Sequence, residues 1–96
     1  MAVSSIRDGI LIDANEAFTN MLGYSREDVI GRSSRDVNVF VDYEDRKRLV
    51  ETVAMNGQAK DLEIRLRTKS GEVRDSLFSM GLVPIGGESC LLSCLI

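Results

Sequence analysis

An α+β fold, with an antiparallel sheet covered on one face by helices, is what this chain of 96 residues predicts. Three observations carry the prediction. β-Prone stretches stand at both ends of the chain, and helical patterns fill the middle. After Asn56-Gly57 the hydrophobic period changes from that of a helix to two. Turn dipeptides, namely Asp8-Gly9, Ser70-Gly71 and Gly86-Gly87, join consecutive β stretches. Hairpin connections make antiparallel sheets, so a wound parallel sheet is disfavoured.

The elements follow in order. Asp-Gly favours a two-residue hairpin turn, because both positions tolerate positive φ. Ala2–Ser5 therefore reads as one short strand and Ile10–Ile12 as the next. Asn15 can cap a helix over Glu16–Leu22, with Gly23 as its stop. Ala17, Phe18, Met21 and Leu22 fall on one face of it. Ser25 opens a second short helix, with Asp28 three residues on in the manner of a capping box and Gly31 at its end. The run "RSSRDVNVFV" is ambiguous, with one helical turn near Ser34–Val37 and then an apolar loop. Asp42 starts the one long helix. Glu44 and Asp45 suit the positive end of its dipole, Leu49, Val50, Val53 and Ala54 form its buried face, and Asn56-Gly57 ends it. "DLEIRLRT" sets Leu62, Ile64 and Leu66 against Glu63, Arg65 and Arg67, the pattern of a half-buried strand. "EVRDSLFSMGLVPI" predicts a long strand with Phe78, Met80 and Leu82 on one face. "SCLLSCLI" predicts the last strand. The last strand can join the two end groups into one sheet by pairing with the first.

Length and composition bound the function. The chain can build one domain with one modest core. A net charge of -3 gives no basic face for nucleic acid, and no apolar run has the length of a membrane span. Cys90 and Cys94 lie on one face of the last strand, roughly 13 Å apart at about 3.3 Å per residue, beyond the reach of a disulfide. They read as small buried hydrophobes. With no apolar leader in "MAVSSIRDG", this points to a reducing, cytoplasmic setting.

The residues resemble the PAS domain family, the sensory module of many signalling proteins. The resemblance spans almost the full chain. It rests on "DGILIDANEAFTNMLGYSREDVIGR", on "DYEDRKRLVETV", and on "EIRLRTKSGEVRDSLFS" before a last hairpin. Asn15 and Phe18 match the family's Asn-x-x-Phe, and Gly23-Tyr24-Ser25 with Glu27, Ile30 and Gly31 match the pattern that follows. The resemblance implies a five-stranded antiparallel sheet in the order 2-1-5-4-3, with the short helices walling a cavity on its inner face. It implies a ligand pocket formed by Phe18, Leu22, Leu49, Val53, Ile64, Leu66, Ser76, Phe78, Met80, Leu82, Ser93 and Leu95. Each apolar member of that set also reads as ordinary core. PAS relatives usually have a longer first strand, and continue past the last strand into an Asp-x-Thr motif and a connecting helix. The chain thus looks like a domain from a larger, bacterial-type signalling protein, such as a two-component protein. Its output, a kinase, a cyclic-nucleotide enzyme or a transcription factor, would lie elsewhere.

The family subtypes can be tested against the residues. Haem bound through histidine is excluded, because the chain has no histidine. The light-oxygen-voltage subtype needs a cysteine in a Gly-x-Asn-Cys-Arg-Phe-Leu-Gln run, which has no counterpart between Val37 and Leu49. It also reads its flavin with inward amides, where Leu66, Ser76 or Phe78, and Leu95 stand here. Flavin is therefore disfavoured, and the expected cofactor is unknown. The polar candidates in the pocket are Ser76, Ser79 and Ser93. The pattern fits a small apolar or amphipathic ligand, or no ligand.

No phosphate-binding glycine loop occurs. The stretch from Asp36 mimics a calcium loop but has Lys47 where the bidentate Glu belongs, so no metal site is expected. Arg65, Arg67 and Arg74 read as a solvated face. Without histidine or an activated nucleophile, no enzymatic role is expected. Two functions remain. One is a ligand-dependent sensor. The other is a dimerisation module, which the resemblance implies is a homodimer, using an outer sheet face of Leu77, Val83 and Leu92 with Cys90, Cys94 and Ile96.

Overall fold

A computed structural model describes residues 1–96. The elements are β1 (Ala2–Ser5), β2 (Leu11–Ala14), α1 (Glu16–Leu22), α2 (Arg26–Val29), α3 (Ser34–Val37), α4 (Glu44–Asn56), β3 (Gln58–Arg67), β4 (Val73–Ile85) and β5 (Glu88–Leu95). The five strands form one antiparallel sheet in the order β2-β1-β5-β4-β3. This is the expected architecture, with first and last strands adjacent.

The N-terminal caps of α1 and α2 act as the sequence predicts. Asn15 Oδ1 accepts from the Phe18 N–H at 3.0 Å. Ser25 and Asp28 complete a reciprocal capping box at α2. At α4 the N-cap is Tyr43 rather than Asp42, and its side chain makes no cap bond; Asp42 Oδ1 instead accepts from the Glu44 N–H at 3.0 Å, one residue ahead of the cap.

Two turns differ from the sequence reading. The β1–β2 connection is a five-residue loop, Ile6–Ile10, closed by Ser5 N–H to the Ile10 carbonyl (2.9 Å) and Gly9 N–H to the Ser5 carbonyl (3.2 Å). Only Gly9 of the Asp8-Gly9 pair takes positive φ, at 65°. β3 starts three residues before Asp61 and carries a bulge between Ala59 and Leu62. There Asp61 adopts φ 52° and donates its N–H to Ser79 Oγ at 3.1 Å. A short polar side chain tolerates this left-handed geometry.

The core lies between the helices and the inner sheet face. Leu22, Leu49, Ile64, Leu66 and Leu91 are its fully buried large side chains, each stabilising the fold by about 1.5–3 kcal/mol. Val39 and Phe40, in the segment that was ambiguous in sequence, are buried in the same cluster. Phe40 stacks edge-on to Tyr43 at 6.2 Å and tilted against Phe78 at 5.8 Å. Val3 and Cys90 are buried as well but stand apart from that cluster, on the outer face of the sheet. Cys94, by contrast, is exposed, and neither cysteine is bonded, which corrects the expectation that both are buried. It is four residues nearer the free end of β5, beside half-buried Ser79.

Candidate functional site

A cavity of about 40 Å³ lies between the helical layer and the inner face of β1, β4 and β5. Its apolar wall comes from Ala2, Leu11, Phe18, Val39, Phe40, Phe78 and Met80. Ser4, Ser34, Ser93, Gly9 and Arg46 complete it. The volume corresponds to about three water molecules, far below the roughly 300–1,000 Å³ of a typical ligand pocket. Any larger occupant must displace side chains. Met80, with its flexible thioether, is the most adaptable of them.

The expected pocket residues divide. Phe18, Phe78, Met80 and Ser93 line the cavity. Leu22, Leu49, Val53, Ile64 and Leu66 are buried core that packs around it. Leu95 sits half-buried opposite Phe78. Ser76 is buried, but its hydroxyl donates to the Ile96 carbonyl at 3.2 Å, and it faces an open groove beside Ile96. Leu82 has the correct strand parity and no cover. Three residues from the end of β4, Leu82 is 53% exposed although its cross-strand partner Leu91 is buried. Ser79 points to the outer side and accepts from the Asp61 N–H.

The outer face carries the other expected set. Leu77 is 40% exposed and Ile96 81%, and the two exchange backbone hydrogen bonds. Val83 and Leu92 are half-buried.

Sequence reasoning missed the polar end of the cavity. Arg46, in the first turns of α4, is only 9% exposed and aims its guanidinium at the β1–β2 loop. Nη2 donates to the Ile6 carbonyl at 3.2 Å, and no carboxylate pairs with it. A Cβ at Gly9 would come within 2.9 Å of Nε and Nη2, so that glycine is what admits the arginine. Beside it, Ser34 Oγ is buried with no hydrogen-bond partner. The sequence carried no distinct signal for either, since Arg46 reads as one more charged residue of α4 and Ser34 as a residue of a short polar run.

The comparisons agree with this geometry. A sequence model of the PAS domain matches residues 1–96. The search of curated proteins gave no match. Among solved structures, the PAS domain of a protein from Colwellia psychrerythraea is 22% identical, with TM-score 0.80, covering 99% of this chain and 83% of that one. The PAS domain of an HTR-like protein from Haloarcula marismortui is 22% identical, with TM-score 0.79 and coverages of 99% and 77%. The photo-excited fungal blue-light photoreceptor Vivid is 21% identical, with TM-score 0.78 and coverages of 99% and 75%. At these identities the structural likeness speaks for the fold. No group of three or more His, Cys, Asp or Glu side chains could hold a metal ion, and no helix is long and apolar enough to cross a membrane. With the sheet order, the capped short helices and a family match over its whole length, the chain belongs to the PAS domain family.

Proposed function

We propose that this domain is the sensory input module of a signalling protein. A small ligand with an apolar body occupies the cavity, and the change in inner-sheet packing passes to an attached output domain. The observation that carries this reading is the position of the cavity. Its walls join the helices to β1, β4 and β5, with Ser93 on the terminal strand, so an occupant that moves Phe18 or Met80 bears directly on β5. The ligand shifts signalling only if it binds two arrangements of that wall unequally. Any catalytic activity lies in the output domain.

The likeness to a blue-light photoreceptor raises a flavin as an occupant. The small cavity and the apolar residues Leu66, Phe78 and Leu95 at the inward sheet positions weigh against it. A second reading, a ligand-free dimerisation module, is favoured by the exposed apolar side chains Leu77 and Ile96 on the outer face.

Native mass spectrometry of protein purified from cells, against the same sample denatured, separates the readings. A reproducible extra mass that disappears on denaturation is the expected result, and its value gives the ligand mass. A bare dimer favours the interaction module. A bare monomer leaves the cavity as a packing defect and overturns both.

A further inference from the structure

We infer that the cavity's occupant is a compact carboxylate, its apolar body among Phe18, Phe40, Phe78 and Met80 and its anionic group held by Arg46 and Ser34. This inference rests on the ligand-sensing reading above and names the chemistry of the ligand.

Two independent observations lead there. Arg46, only 9% exposed, is the one charged side chain lining a mostly apolar cavity, and it is bonded to one carbonyl and no carboxylate. Only Nη2 has a protein partner and no carboxylate lies in reach, so the remaining guanidinium donors are free to pair with an anion. The planar set of donors matches a carboxylate bidentately. Separately, Ser34 Oγ is the one buried side-chain polar atom left without a partner, and it lines the same cavity. Its hydroxyl can donate to a carboxylate oxygen. The two donor groups line one cavity of about 40 Å³, so the apolar body of the acid takes its place by displacing side chains, Met80 first.

The outer approach has the matching sign. Arg46 also borders an open surface groove formed with Arg7, Asp8, Ser33, Arg35, Tyr43 and Lys47. That groove holds four cationic residues and one acidic residue in a chain of net charge -3. Arg35 stacks over the Tyr43 ring at 4.4 Å, and Lys47 pairs with Glu44 at 3.2 Å. Arg7 has no ion pair. Arg46 therefore stands between a cationic mouth and an apolar interior, the arrangement that an acid with a short apolar body would complete. A neutral apolar molecule would leave both donor groups as they are.

The test is an NMR titration of the 96-residue chain with hexanoate and, separately, with hexan-1-ol. Hexanoate is expected to shift the Arg46 Nε–H and the amides of Gly9, Ser34 and Met80. It should bind at least about tenfold more tightly than the alcohol, the scale of one charge-assisted hydrogen bond. Arg46→Gln should bring the two affinities together. Ser34→Ala should weaken hexanoate a few-fold and leave the alcohol unchanged, which keeps the test valid if Arg46→Gln fails to fold. Equal affinities in the parent chain overturn the carboxylate assignment but leave an apolar sensor. An advantage for hexanoate that survives both substitutions places the anion elsewhere and also overturns it. If neither compound shifts the cavity amides, the ligand-sensing reading falls with it.

Discussion

At the scale of single residues, polar side chains make two kinds of contact here. Asp28 belongs to the first, which fastens neighbouring elements. Its Oδ2 accepts from Lys69 Nζ at 3.0 Å and from the Ser25 N–H at 3.1 Å, joining α2 to the β3–β4 turn. The Lys69 hydrogen bond first, and then those from the Ser25 backbone and side chain, hold its carboxyl down at about 2, against an ordinary 3.8. A folded-state value below the unfolded one stabilises the fold above 3.8, and the contribution fades as pH falls through about 2. Asp28→Asn should therefore melt at lower temperature than the parent at neutral pH, with the gap closing by about pH 2. Circular-dichroism melts across that range check it, and a gap of constant size would mean that the carboxylate charge is not the cause. Arg46 belongs to the second kind, a polar group held without its natural partner. The capping box at Asp28 could be read from Ser25 and its spacing. The site at Arg46 could not, because one arginine among the charged residues of a helix looks like solvated surface until the β1–β2 loop closes over it.

At the scale of elements, periodicity located the helices and strands well, and cover was what it could not supply. Phe78, Met80 and Leu82 share one strand face, yet only the first two are buried. Strand parity is a property of the backbone, but burial depends on where a neighbouring element ends. The same limit applies to Val39 and Phe40. They lie in a loop without periodicity, and their burial follows from backbone hydrogen bonds between this segment and β3, including Arg67 N–H to the Val39 carbonyl at 2.7 Å. The contrast gives a direct measurement. Leu49→Ala, at a position with 0% exposure on α4, should cost about 2–5 kcal/mol of unfolding free energy. Leu82→Ala, at 53% exposure, should stay within about 0.5 kcal/mol, as surface substitutions do. Urea unfolding of both variants decides it. A comparable loss at Leu82 would mean that something covers the end of β4 in solution.

At the scale of the whole molecule, the sheet has one face occupied by helices and one face left open. Helical cover explains the inner face. The outer face is more apolar than solvent alone requires, since Leu77, Ile85 and Ile96 are 40%, 41% and 81% exposed. Scattered exposed apolar residues are ordinary, but a contiguous patch marks an interface. Leu77 and Ile96 are contiguous, because they are register partners across β4 and β5. Leu92 stands two residues before Cys94 on the same face, beside Gly81 and Val3. Gly81 offers no side chain there, so Leu92 faces a shallow seat that a second copy of the sheet can fill. Dimerisation through this face predicts that Leu92→Asp places a carboxylate in the middle of the contact. The variant should sediment as a monomer at concentrations where the parent is a dimer. It should keep the parent's far-ultraviolet spectrum, because Leu92 is half-buried and lies outside the main core cluster. Sedimentation velocity on both chains, with circular dichroism as the folding control, is the measurement. A variant that remains dimeric removes the outer face as the interface. A parent that is monomeric throughout removes self-association by this chain.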